Sequence, residues 1–338
     1  MNRTVKIAVC CLMLLAVVAS CNKEKDFNIY TDADPTMIIY GFLNPESDTN
    51  FLKITKSFNG DATVGTQDYA LNNYDYKLYV RLINRKEPKD SIAFDTTSVY
   101  KPWDGTSPFY SGRRQLVYFT TEKLTAGDEY DLYVRDRSGN EVTTRLKLVS
   151  DIDITWPYNS KISFLGSYNS DIRWKRKDLS QPWAPYYEVT GFFNYRQLNP
   201  GENDTTDHSV KWYLGNGTPE SLYMDNSYLH IYYTPDTFFD IMLADDNIKN
   251  NSPAGVRRWY KNFTIVVSAA GEELYNYTVI SSSESVIQDS PEYTNISGGL
   301  GLVSSKINVE KSYSIAIETM NQIYRDYPEW GFVTEPQK

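Results

Sequence analysis

Three kinds of side chain in this 338-residue chain could do chemistry: sulfur, imidazole and carboxylate. The cysteines are Cys10, Cys11 and Cys21, and a cysteine offers a thiolate nucleophile, a metal ligand or a site of acylation. His208 and His230 are the two histidines, so a serine triad would have to use one of them, and no Gly-x-Ser-x-Gly elbow supplies its nucleophile. Asp136, Ser138 and Asn140 in DRSGNE set oxygens at alternate positions as a calcium loop does. Glycine, however, comes fourth rather than sixth and no glutamate closes the loop, so the stretch reads as a hairpin turn. Asp245, Asp246 and Asn247 follow a predicted helix and read as solvated, and no metal is expected. GGLG at 298–301 lacks the lysine and serine of a phosphate cradle, and no cofactor is expected. A glycosidase needs two carboxylates facing across a cleft, a relation that 43 acidic residues leave open. Glu129 and Asp131 share the strand face opposite Tyr130, Leu132 and Val134 and read as wetted surface.

Cys21 has the most specific setting. Arg3 and Lys6 precede an apolar run from Ile7 to Ala19, shorter than the roughly 20 residues that cross a hydrocarbon core. Basic, apolar and small-residue regions in that order make a secretory leader. Val18-Ala19-Ser20-Cys21 resembles the lipobox of bacterial lipoproteins, which implies a signal peptide over residues 1–20 and acyl chains on Cys21. Cys10 and Cys11 leave with the leader, so no disulfide or free thiol remains. Several acyl chains, at about 0.8 kcal/mol per buried CH₂, hold a protein on a membrane far more firmly than one. Residues 21–35 are polar and charged and read as a lipidated flexible tether. Glu24 and Asp26 resemble the acidic export signal that sends Bacteroidota lipoproteins to the outer face of the outer membrane.

Aromatic residues in predicted loops are the leading binding candidates, because flat rings beside polar groups suit sugar faces and peptide side chains. Trp103, Phe109 and Tyr110 lie in YKPWDGTSPFYSGRR, and Trp183 and Tyr186 in SQPWAPYYE. The implied ligand is a glycan or a peptide. Asp90-Ser91-Ile92, Asp95-Thr96-Thr97 and Asp204-Thr205-Thr206 resemble the Bacteroidota sequon for O-glycosylation.

The elements that must position these side chains are mostly strands. Length suggests two domains, and 41% hydrophobic with 14% aromatic content suffices for a substantial core. A formal net charge of -9, deepened by loss of Arg3 and Lys6, gives no basic surface for phosphates, so nucleic acid is not an expected partner. Short alternating segments such as TMIIYGF, FLKITKSF, YKLYVRLIN, QLVYFTT, EYDLYVRD and EVTTRLKLV recur between turn clusters. The fold class read from this is mainly β: an N-terminal immunoglobulin-like β-sandwich over 36–150, then a β-rich domain with short helices over 151–338. Helices are predicted after a Thr234-Pro235 cap, over 270–281, and near the C-terminus. At the last of these, Tyr313, Ile317, Met320, Tyr324 and Tyr327 form a stripe that reads as a packed face.

At PEYTNISGGLGLVSSK the chain resembles Bacteroidota envelope lipoproteins carrying domain of unknown function 4249. Tyr293-Thr294-Asn295-Ile296 and Gly299-Leu300-Gly301-Leu302 match the family pattern, with Val303 where an aromatic is usual. ELYNY at 273–277 and MIIYGFLN with FLKITKSF are similar too, so the resemblance spans nearly the whole mature chain. It implies a lipoprotein whose genes neighbour TonB-dependent transporters, hence a non-catalytic accessory or ligand-binding subunit for nutrient capture. It carries over no catalytic residue. An envelope glycan- or peptide-hydrolase and a structural or adhesive module are the alternatives. For Gly298, Gly299 and Gly301 the residues themselves predict a bend or a close backbone approach.

Overall fold

Period-two alternation governs the first half: in EYDLYVR the buried residues are Tyr130, Leu132 and Val134, and in EVTTRLK they are Val142, Thr144 and Leu146. The computed structural model describes residues 35–57, 72–101, 113–166, 169–249, 255–282 and 293–333. The protein is mainly β, with 51% strand and 14% helix. Among the described residues, no helix is long and apolar enough to cross a membrane.

Among the described residues, eight strands build the first unit: β1 (Met37–Leu43), β2 (Asn50–Lys56), β3 (Tyr79–Asn84), β4 (Ser91–Ala93), β5 (Asp95–Lys101), β6 (Arg113–Thr120), β7 (Glu129–Arg135) and β8 (Glu141–Lys147). They pair as β1-β2-β6-β5 and β4-β3-β7-β8. In chain order this is the A-B-E-D and C′-C-F-G arrangement of an immunoglobulin-type sandwich. Between the layers, Ile39, Leu52 and Tyr118 of one sheet meet Val80, Leu82, Leu132 and Val134 of the other. Buried Tyr130, at the start of β7, accepts a hydrogen bond from Thr125 N at 3.0 Å. That is the tyrosine corner found at the E–F turn of such folds. The DRSGNE stretch is the β7–β8 turn, where the Asp136 carboxylate accepts from the backbone N–H and amide of Asn140.

Nine further strands follow: β9 (Ile152–Trp156), β10 (Lys161–Ile162), β11 (Ser170–Arg176), β12 (Tyr186–Leu198), β13 (Thr206–Gly217), β14 (Tyr223–Asp225), β15 (Tyr228–Tyr233), β16 (Arg257–Ala270) and β17 (Leu300–Ile315). The sheet β14-β15-β11-β9 and the antiparallel strands β13-β12-β16 share a second core around Trp174, Tyr187, Phe193, Trp212 and Phe263. Among the described residues four α-helices accompany them: α1 (Thr237–Ala244), α2 (Asp246–Lys249), α3 (Glu272–Ser282) and α4 (Ile317–Asp326). α1 begins two residues beyond the predicted Thr234-Pro235 cap, with Asp236 at its N-cap. It buries Phe238, which stacks on Phe164 at 4.2 Å. The C-terminal stripe is corrected in part by the structure: Tyr313, Met320 and Tyr327 pack on the second core, but Ile317 and Tyr324 are exposed and α4 buries Thr319 and Ile323 instead. Tyr313 belongs to β17, so its side chain obeys strand periodicity and cannot set the phase of the helix.

One strand joins the two units. The first half of β17 pairs in parallel with β1, from Ile38↔Leu300 to Leu43↔Ser305, and its second half pairs antiparallel with β16. A continuous sheet β13-β12-β16-β17-β1-β2-β6-β5 results. Core membership changes between Leu148 and Val149, and Ile296 and Val303 return to the first core, so residues beyond 150 contribute to both. The glycine step is the close approach predicted for it: at Gly301, with φ +113°, a Cβ would lie 2.0 Å from Ile39 O. Asn295 beside it behaves as a piece of strand. Its Oδ1 accepts from Val303 N at 3.0 Å and its Nδ2 donates to Val303 O at 2.7 Å.

Candidate functional site

Where the units meet, the segment Gln181–Pro185 crosses the junction as a strap. Its Gln181 amide lies so close over Gly127 of the first unit that any Cβ there would strike it. Its far end is fixed to the second core, where Tyr187 Oη accepts from Ala184 N at 3.0 Å and the Tyr187 ring packs on Trp174. Two prolines limit the strap's backbone freedom, and Trp183 sits between them. The Arg176 guanidinium lies 4.7 Å over the Trp183 ring and donates to Gln181 O at 2.5 Å.

A cavity of about 240 Å³ opens beneath the strap, lined by Gly127, Lys147 and Leu148 from the first unit and by Trp183, Gly271 and Glu273 from the second. A shallower hollow of about 460 Å³ shares residues 182–185 and Glu272 and adds Pro219, Glu220 and Tyr275. Together they have the size and mixed lining of a small-ligand site. The site is acidic and aromatic, with Lys147 as a cationic counterpart.

Glu273 is the best-defined polar group in it. It stands in the first turn of α3, and its Oε2 accepts from Ser304 Oγ at 2.7 Å. Ser304 is fully buried in β17, and its Oγ in turn accepts from Leu274 N. Burial raises the Glu273 carboxyl above the ordinary carboxylate range, opposed by the Ser304 hydrogen bond. The neighbouring Ser305 Oγ donates to Leu43 O at 2.9 Å and accepts from Val149 N at 3.0 Å. Behind the lining residues Glu273 and Val149, the bridging strand therefore ties both sides of the cleft together.

Of the residues singled out in the sequence, Trp183 lines both hollows. Tyr186 lines neither: it is 8% exposed, packs behind Tyr275 at 5.3 Å, and burial pushes its hydroxyl up to about 12. Cys21, Trp103, Phe109 and Tyr110 lie outside the described residues. Sequence reasoning missed Lys147, Glu272, Glu273 and Tyr275 as cleft residues. The start of α3, read from ELYNY, was the signal that could have pointed to the last three. The histidines are far apart in role: His208 stacks on Tyr195 at 5.3 Å, while His230 sits on β15 beside Asp171.

No family model matches the chain, and no curated protein matches it in sequence. The site's own chemistry is what bears on function. A ring, a pair of prolines and several carboxylates around a preformed hollow suit non-covalent capture of a small ligand with an apolar face and hydrogen-bond donors.

Proposed function

We propose that this chain is a lipoprotein of the outer membrane, held at the cell surface through acyl chains on Cys21, that binds a small ligand without catalysis as an accessory subunit beside a TonB-dependent transporter. The structural observation that carries the binding part is the preformed cleft around Trp183, lined by residues of both units that one shared strand joins. The lipobox-like Val18-Ala19-Ser20-Cys21 supports the anchorage. Resemblance to envelope lipoproteins with domain of unknown function 4249 supports the transporter partner. The ligand class is a glycan or a peptide.

Tagged protein drawn from solubilised outer membranes tests the partnership. A TonB-dependent transporter among the co-purified proteins is the expected result, and recovery of lipid and abundant porins alone would sink it. The same preparation from a Cys21→Ala strain should leave the protein in the soluble fraction, and retention in the membrane would refute the anchor.

A carboxyl at Glu273 that burial raises above the ordinary carboxylate range, beside Glu272, favours one second reading, an envelope hydrolase using Glu273 as acid. Turnover of a glycan or peptide that Glu273→Gln abolishes would establish it.

A further inference from the structure

Strand register in the β14-β15-β11-β9 sheet lines up four side chains in one row: Trp156, Arg173, His230 and Tyr223, one from each strand. Asp171 and Tyr232 face each other in the row beside it. The alternate residues Ile172, Trp174, Leu229 and Ile231 are buried in the second core, so period two sends these rows outward. The rings remain in solvent: Tyr223 is 62% exposed, Tyr232 44% and Trp156 37%, and Tyr158 beside Trp156 reaches 69%. They pack on one another rather than under a covering element, with Tyr223–Tyr232 centroids at 4.7 Å and Trp156–Tyr158 at 4.8 Å.

The polar groups among the rings are held in place. Arg173 Nε donates to Asp171 Oδ2 at 2.5 Å while its guanidinium lies 5.6 Å over Trp156. His230 is 7% exposed beneath Tyr223 and Tyr232, and its buried Nδ1 has no hydrogen-bond partner, Asp171 Oδ2 being 3.5 Å away. Nothing in the core needs four solvated rings here, and exposed aromatic clusters of this kind mark contact surfaces.

The pattern selects the occupant. The core of a protein interface is depleted in acidic side chains, and here Asp171 and Asp225 stand among the rings. An anionic lipid surface calls for cations without carboxylates, and Asp153, Asp171 and Asp225 share this face with Lys175 and Arg173. A saccharide chain presents apolar C–H faces alternating with hydroxyl rims, and rings interleaved with fixed donors and acceptors match both. The row covers three strand spacings, about 14 Å, which accommodates a short run of sugar units. We propose that this sheet face is a carbohydrate-binding surface for an extended neutral glycan, separate from the cleft around Trp183.

Affinity electrophoresis of the full-length protein through gels holding mixed-linkage β-glucan, arabinoxylan, galactomannan or α-mannan tests this. At least one polymer should retard the protein, and the Tyr223→Ala/Tyr232→Ala double variant should weaken the interaction by about tenfold. Tyr223→Ala alone, on a short edge strand, is the second variant should the double one melt early. Trp183→Ala should leave the retardation unchanged, which separates this surface from the cleft. Retardation by none of the four polymers would overturn the proposal. So would retardation that survives the tyrosine substitutions or disappears with Trp183→Ala.

Discussion

Asn295 does with one side chain what a neighbouring strand would do with its backbone, closing both the N–H and the C=O of Val303. Asn295→Ala leaves both groups unpaired at the junction and should cost about 1–3 kcal/mol in urea unfolding. Gly301→Ala is harsher in kind, since a new methyl group meets Ile39 O and the backbone is left-handed, and a loss of about 2 kcal/mol or more is expected from the same measurement. Glu273 ties stability to pH. Its folded-state carboxyl is raised above the ordinary value of 4.5, so the native protein holds this proton more tightly than the unfolded chain. The contribution is complete below about pH 4.5 and is lost as pH rises through the folded value. The thermal midpoint of Glu273→Gln should therefore gain on that of the native protein as pH is raised from about 4 to about 7, and a constant difference would contradict the assignment.

At the scale of elements, the strands were legible because each carries its own pattern of alternation, and the β7–β8 turn because Asp136 and Gly139 announce it. The tyrosine corner could be checked only once the sheets were assembled: Tyr130 reads as one more apolar strand residue until its Oη meets Thr125 N. Tyr130→Phe removes that acceptor while keeping the ring and should cost about 1 kcal/mol, measured by thermal unfolding. The row Trp156, Arg173, His230 and Tyr223 was invisible in the sequence for a related reason. These residues come from four strands scattered between positions 156 and 230, and register alone unites them. Trp183 was legible because prolines on both sides mark a ring held in a loop, whereas Tyr186, three residues on, already belongs to β12 and is buried by it. For α4 the apolar spacing misled in part: Met320 and Tyr327 pack on the second core, but Thr319 and Ile323 take the buried face while Ile317 and Tyr324 stay in solvent.

At the scale of the whole molecule, the two cores are not beads on a string. Ser305 alone bonds to Leu43 and Val149, and β17 completes the sheet of each unit. Urea unfolding should accordingly appear as a single transition, with tryptophan fluorescence, which reports the second core through Trp174 and Trp212, coinciding with amide exchange of β7 in the first. Two separated transitions would show that the shared strand does not couple them. The same strand has a consequence for biogenesis. Leu43 and Ser305 are 262 residues apart, so a chain emerging from its N-terminus presents β1 with one hydrogen-bonding edge open until nearly all the rest has been delivered. Open edges invite pairing with the wrong neighbour, and contacts this distant in sequence form slowly. Late closure of that edge is the kinetic cost of letting one strand serve both units.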